Sequence, residues 1–204
     1  MISVLIPYLA YPPYNEQIEV TIEGLKKQTA DLEIIVSEQK VVGKHDRIRK
    51  GRLHNEGFAK SSGDIIFHCD ADIIFEDETL LERMQDALFA RDYDVIYPLF
   101  WSNTSEMYKL ADGHPFMRRQ VREEYGPLNE DDLGISLQEF RILEWLYFNK
   151  RFHCSQEFII KVNLFPFIKF INKSDVETKK KCIPIAQRVV CELKKEGVWP
   201  TWEK

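Results

Sequence analysis

None of the four cysteines, Cys69, Cys154, Cys182 and Cys191, stands in a Cys-x-x-Cys spacing, and they sit in mostly apolar runs. That argues against a zinc ribbon and a disulfide framework and leaves reduced thiols in a cytosolic compartment as the expectation. No run of about 18 uninterrupted apolar residues is present to span a bilayer, and the segment from Met1 to Pro7 lacks the basic start and long apolar stretch of a signal peptide. A surplus of positive charge is missing too: 28 Lys and Arg stand against 33 Asp and Glu, a formal net charge of -5. A protein whose main task is gripping a phosphate backbone over a broad surface would be basic, so that class is disfavoured and only a local basic patch remains open. There is no internal repeat and no low-complexity tract. What the chain does have is apolar mass, with 44% of its 204 residues hydrophobic and 12% aromatic, enough for one sizeable core. The size prior predicts a single domain over residues 1–204.

The first half alternates short β-branched runs, Ile2 to Ile6, Leu32 to Val36, Ile65 to Cys69 and Val95 to Leu99, with helical patterns. Such alternation predicts βαβ units on a mostly parallel sheet flanked by helices, an α/β fold. Ile18, Ile22 and Leu25 recur at helical spacing, residues 46–62 are helical in composition up to Gly63, and Glu78 to Arg91 turns Leu81, Met84 and Leu88 to one face. The second half is less regular. Trp101 to Gly113 has no clear period and reads as a loop or lid, Phe116 to Tyr125 as a short strand and helix, and Ser136 to Asn149 as a helix. Phe158 to Ile171 is an apolar, lysine-punctuated stretch broken at Pro166, either a core strand pair with a Pro turn or a membrane-surface segment. Asp175 to Glu196 is a last helical region interrupted near Pro184.

The third strand runs directly into Asp70-Ala71-Asp72. Two carboxylates then emerge where a buried parallel strand ends, at the ligand edge of an open α/β sheet. Acids so close repel unless a cation offsets them, and oxygen ligands suit Mg²⁺ or Mn²⁺ bridging the phosphates of a nucleotide. The bland reading of an Asp-x-Asp triplet is a solvated turn. Upstream, Ile48, Arg52, Asn55 and Ala59 share one helical stripe, which would turn Arg52 and Asn55 toward a common ligand; otherwise Arg52 is solvated and Asn55 bonds nearby backbone. Lys44, Arg47, Arg49, Lys50 and Arg52 give this stretch a positive potential attractive to a diphosphate, or simply a solvated face. His54 and His68 read as packing or polar residues rather than ligands, and Trp101 as either a sugar-stacking ring or an apolar anchor.

The string from Arg52 through Asn55-Glu56-Gly57-Phe58 and Gly63-Asp64 to Asp70-Ala71-Asp72 resembles the core of nucleotide-sugar glycosyltransferases of the GT-A fold. It is similar to the inverting family-2 enzymes, with a further resemblance to the β-1,4-galactosyltransferases in Asn-x-Gly-Phe. Val4-Leu5-Ile6-Pro7-Tyr8 looks like the family's first strand, and Glu33 to Glu38 like its second. Phe116 to Val121, Tyr125 to Glu130 and Gly134 to Leu143 resemble its acceptor-side blocks. The resemblance implies a Rossmann-like GT-A sheet, with residues 1–100 as the nucleotide-binding half and 101–204 as the acceptor and catalytic half with a C-terminal helix. It implies a metal-dependent, inverting hexosyltransferase that moves a sugar from a nucleotide sugar, of UDP type, to a glycan or lipid-linked hydroxyl. The enzyme would be cytoplasmic, with peripheral contact to the inner face of a membrane as a variant.

By the same resemblance Asp70 and Asp72 hold Mn²⁺ or Mg²⁺, Pro7, Tyr8, Glu38, Arg52, Asn55, Asp70 and Ala71 frame the nucleotide sugar, and Glu139 is the catalytic base. Ser136-x-x-Glu139 is also a capping box, a competing role for that carboxylate. The chain departs from the pattern at Gln138, where the family has an acid, and in having no well-placed late histidine: His153 comes early, and Asn172 stands near that position. A degenerate, non-catalytic binding domain is therefore one alternative. A sugar-1-phosphate nucleotidyltransferase is another, disfavoured because Pro7 to Pro13 contains no glycine for a phosphate loop. The chain is a compact enzyme or one module of a larger polypeptide.

Overall fold

The computed structural model describes residues 1–10, 14–40, 48–102, 107–110, 113–131 and 137–162, with single helical positions at 184, 187, 188, 191, 194 and 195. In chain order these give β1 (Ile2–Ala10), α1 (Tyr14–Lys26), β2 (Leu32–Lys40), α2 (Lys50–Lys60), β3 (Ile65–His68), β4 (Ile73–Ile74) and α3 (Leu80–Ala90). There follow β5 (Val95–Ser102), β6 (Met107–Leu110), β7 (Phe116–Arg118), α4 (Arg119–Tyr125), α5 (Leu137–Asn149) and β8 (Phe152–Val162). The strands lie in the order β2-β1-β3-β7-β5-β8-β4, with β6 beside β5. β1 runs parallel to β2 and β3, and β5 parallel to β8, whereas β7 is antiparallel to both β3 and β5. This is a mixed α/β sheet, its parallel β2-β1-β3 part built by the βαβ units that the alternation predicts.

All four residues of β3 are buried, as a strand covered on both faces requires. Phe67 and Phe116 face one core with Ile18 and Leu25 of α1 and Leu81 and Met84 of α3. Ile66 and Met117 face the other, with Val121 of α4 and Ile142 and Leu146 of α5. The register of β5 on β8 shifts between Tyr97 and Leu99, at Pro98, which has no N–H to give the ladder.

Two expectations change. Trp101 to Gly113 is not a loop throughout: β5 continues to Ser102 and pairs antiparallel with β6, Leu99 against Leu110 to Ser102 against Met107. Aromatic and branched residues on both arms favour extended backbone, and the pairing partner is supplied by the hairpin itself rather than by an apolar period. Helix α2 starts at Lys50 rather than near 46, and it ends at Lys60 with the Ser61 N–H donating to Phe58 O at 3.1 Å. Phe158 to Val162 belongs to β8, with Phe158 and Ile160 in the core, which is the core-strand alternative for that part of the lysine-punctuated stretch. Residues 163–171, Asn172, Cys182, Trp199 and Trp202 lie outside the described residues. Cys69, Cys154 and Cys191 are free thiols. Among the described residues no helix is long and apolar enough to cross a membrane.

Candidate functional site

Strand β3 delivers Asp70 to the carboxyl edge of the sheet: the Cys69 N–H donates to Leu5 O at 3.0 Å, which prolongs the β1–β3 ladder to the residue before it. Asp70, Ala71 and Asp72 then turn the chain into β4. Thr21 of α1 pins that turn, its hydroxyl 2.9 Å from both Ala71 O and Ile73 O. Across the cleft stands Glu139 in the first turn of α5. Between the two acids lies a side chain to which the sequence reading gave no such role, Lys50, the first residue of α2. Its Nζ is 2.7 and 2.8 Å from the two carboxylate oxygens of Asp70 and 2.5 Å from Glu139 Oε1. One ammonium therefore joins acids from opposite halves of the chain. The Glu139 carboxylate is committed to this cleft, and Ser136, its capping rival, lies outside the described residues.

Two glycines make the approach possible. A Cβ on Gly51 would lie within 2.3 Å of Asn129 O and of the Gln138 amide atoms, and one on Gly113 would meet the Glu139 carboxyl at 3.2 Å. Alanine normally favours a helix over glycine by about 0.5–1 kcal/mol. Overpacking against a backbone oxygen costs about 1–3 kcal/mol. We therefore expect Gly51→Ala to lower the urea midpoint; a midpoint at or above the wild-type value would show that α2 can shift freely.

The charges are unevenly compensated. Burial pushes the Asp70 carboxyl up, but the Lys50 ammonium outweighs it and holds it down to about 2. Asp72 goes the other way: burial, and then the charge of Asp70, raise it to about 7. The Lys50 ammonium pairs with Asp70 and Glu139 while Asp72 faces the charge of Asp70, so the two aspartates have room for a further positive charge, and their hard oxygen donors fit Mg²⁺ or Mn²⁺. Among the described residues no set of three or more His, Cys, Asp or Glu side chains is arranged to hold a metal. His114, also missed from sequence, is buried with Nε2 4.0 Å from Asp70 Oδ2, and burial lowers its pKa.

The cleft beside Lys50 and Glu139 is lined by His54, His68, Pro115, Leu128, Gln138 and Ile142. His54 and His68 stack with ring centroids 4.1 Å apart, which bears out the packing role. Burial and then Lys50 lower His54 to about 3, and burial and then His54 lower His68 well below the usual range. Both imidazoles are therefore neutral near pH 7. A folded pKa below the unfolded one means stability that is complete above about pH 6.5 and is lost as pH falls through that value toward the folded pKa, by about 1.4 kcal/mol per pH unit for each histidine. Over the same range the raised Asp72 carboxyl works in the opposite sense, since it is protonated in the folded form and ionised in the unfolded one. Urea midpoints measured at about pH 7.5 and 5 therefore check the histidines by difference: His54→Gln with His68→Gln should lose less stability toward pH 5 than the wild type, and an equal or larger loss would contradict it.

The remaining expected residues divide. Pro7, Tyr8 and Glu38 come together where β1 and β2 end in parallel, Pro7 opposite Ser37 and Tyr8 opposite Glu38. Burial, and then the charges of Glu38 and Glu19, raise the Tyr8 hydroxyl pKa, and that hydroxyl donates to Asn15 Oδ1. Arg52 and Asn55 take different partners within the protein. Half-exposed Arg52 pairs with Glu56 at 3.3 Å one turn along α2, while the Asn55 amide is spent on Leu128, Glu130 and Arg122. The reason is rotational: the buried residues of α2 are Lys50, Gly51, Leu53, His54 and Gly57, one stripe away from the one expected. Lysine and histidine four apart beside two glycines were the available signal. His153 stacks on Tyr93 at the start of β8, centroids 4.4 Å apart, and takes no part in the site. The Trp101 side chain lies outside the described residues.

The profile of the family described as Glycosyl transferase family 2 matches residues 39–145, just over half the chain. No curated protein matches the chain by sequence. Among solved structures, S. aureus TarS, residues 1–349, superposes with a TM-score of 0.65 at 10% identity over 94% of this chain, which spans 65% of that one. Drosophila β1,4-galactosyltransferase 7, solved with manganese, UDP-Gal and xylobiose, gives 0.60 at 15% identity over 87% of this chain and 79% of that one. Glucosyl-3-phosphoglycerate synthase from Mycobacterium tuberculosis, in complex with Mn²⁺, UDP-glucose and phosphoglyceric acid, gives 0.61 at 13% identity over 98% and 81%.

Proposed function

The chain belongs to glycosyl transferase family 2, and from that premise we propose that it is a metal-dependent, inverting glycosyltransferase acting on a nucleotide sugar, of UDP type, and a hydroxyl of a glycan or lipid-linked acceptor. The observation that carries this reading is the meeting of Asp70, at the end of β3, with Glu139 of α5 across Lys50, with Asp72 close enough to feel the charge of Asp70. The manganese and UDP-sugars bound by structures of the same fold support the choice of ligands. Residues 1–100 then supply the nucleotide half and residues 101–204 the acceptor half.

In this reading Pro7, Tyr8 and Glu38 frame the base and ribose at the ends of β1 and β2, and Asp70 and Asp72 hold a divalent cation. When bound, the cation would offset charge growing on the departing diphosphate. Glu139 takes the proton of the acceptor hydroxyl while that oxygen attacks the anomeric carbon from the face opposite the leaving group, which inverts the centre. Arg52 and Asn55 are left out, because their side chains are engaged elsewhere.

A thermal-shift comparison tests the assignment. UDP with Mn²⁺ at about a hundred times its dissociation constant stabilises the folded form by about 2.7 kcal/mol, and Asp72→Ala should abolish the rise in melting temperature. No rise with any nucleoside diphosphate and divalent ion, or an equal rise in the variant, would refute it. A non-catalytic nucleotide-sugar-binding domain is the second reading, favoured by Gln138 in an acid's place with neither amide atom hydrogen-bonded.

A further inference from the structure

We infer that Lys50 is a built-in counter-cation that competes with the divalent ion for Asp70 and, until an anionic donor draws it away, occupies the proton-accepting oxygen of Glu139. The inference rests on the proposed function and adds an order to it. An ammonium has three N–H donors, and the close oxygens around Lys50 Nζ number the same: two on Asp70 at 2.7 and 2.8 Å and one on Glu139 at 2.5 Å. All three side chains are largely withdrawn from water, at 11% exposed for Lys50, 13% for Glu139 and 27% for Asp70.

The backbone cannot relieve this arrangement. Lys50 opens α2, and Gly51 behind it lies so close to Asn129 O and the Gln138 amide that no side chain fits between. The four-carbon stem of lysine, in contrast, can swing its head group without moving the helix. A divalent ion on Asp70 and Asp72 would claim the same Asp70 oxygens and repel the ammonium at short range in poorly solvated surroundings. The two cations therefore exclude each other on Asp70. A diphosphate changes the balance, because its oxygens offer the ammonium a second set of acceptors, and a lysine that moves to them leaves Glu139 Oε1 open. The consequence is cooperativity: the bare ion binds weakly, ion and diphosphate bind strongly together, and the base is released only when the donor is in place.

The decisive variant is Lys50→Met, and the readout is Mn²⁺ titration followed by the magnetic-resonance signal of the free ion, with and without UDP. Removing the competitor should tighten nucleotide-free Mn²⁺ binding about tenfold or more and shrink the gain in Mn²⁺ affinity that UDP brings, while Lys50→Arg should retain weak bare-ion binding. A lysine that merely supported the fold would move both affinities in the same direction. Because Lys50→Met leaves two carboxylates without their partner, the double variant Lys50→Met/Glu139→Gln carries the same expectation with less repulsion. Adding Asp72→Asn should cancel the gain. A wild type that binds Mn²⁺ with UDP, alongside Lys50→Met and double variants with unchanged or weaker bare-ion affinity, overturns the Lys50 inference alone. Wild type and both variants that all ignore Mn²⁺ with UDP present overturn it together with the proposed function.

Discussion

Glu139→Gln should lower the rate of sugar transfer by about 10²–10⁴, the usual contribution of a positioned general base, with UDP and Mn²⁺ affinity retained. The substitution keeps the shape of the side chain and an oxygen that Lys50 can still bond, so the cleft stays closed around it. What is lost is an acceptor for the proton of the attacking hydroxyl. Single-turnover transfer from a radiolabelled nucleotide sugar, paired with a binding titration, separates the two quantities. Full transfer by the variant would return Glu139 to a structural role and require another base. Measurable transfer in the wild type that vanishes in the variant would exclude the non-catalytic domain.

The second large effect lies where the sequence pointed to a ligand. Asn55→Ala should destabilise the fold by about 3–4 kcal/mol, since each neutral hydrogen bond contributes about 1 kcal/mol and bonds to charged groups more. Asn55 Nδ2 donates to Leu128 O and Glu130 Oε1, both at 2.9 Å, while its Oδ1 accepts from the Leu128 N–H at 2.9 Å and from Arg122 Nη2 at 2.8 Å. Arg122 is 1% exposed; its other partners are Gly126 O and the Phe58 ring, 4.8 Å from the guanidinium carbon. Gly126 itself has φ +84, a conformation that glycine adopts without strain, so the turn after α4 depends on the asparagine and the glycine together. A melting temperature lower by roughly 10 °C with unchanged UDP affinity is expected. Weakened UDP binding without loss of stability would restore Asn55 to the nucleotide site.

The order of β1, α1, β2, α2, β3 and α3 was readable because each element carries its own period and the connections are short. Ile65 to His68 announced a strand buried on both faces, and an apolar strand running into Asp70-Ala71-Asp72 announced the carboxyl edge. The β5–β6 hairpin was not readable, because its pairing has no apolar period; β7 was readable as a short strand before a helix, but its antiparallel place between β3 and β5 was not. That Lys50 enters the cleft was not readable for a geometric reason: a helix written as text has several possible stripes, and packing on β1 and β2 buried the one with Lys50, His54 and Gly57 rather than the one with Arg52 and Asn55.

By itself, then, the sequence determined the α/β alternation, the strand that presents Asp70 and Asp72, and the residue types able to hold a cation or accept a proton, all of them local properties of period and spacing. Only the tertiary structure decided that Glu139 lies across from those acids, that Lys50 rather than Arg52 stands between them, and that Asn55 ties a turn. Those are relations between segments up to 89 residues apart, set by which helix face the sheet buries, and no local pattern encodes that rotation.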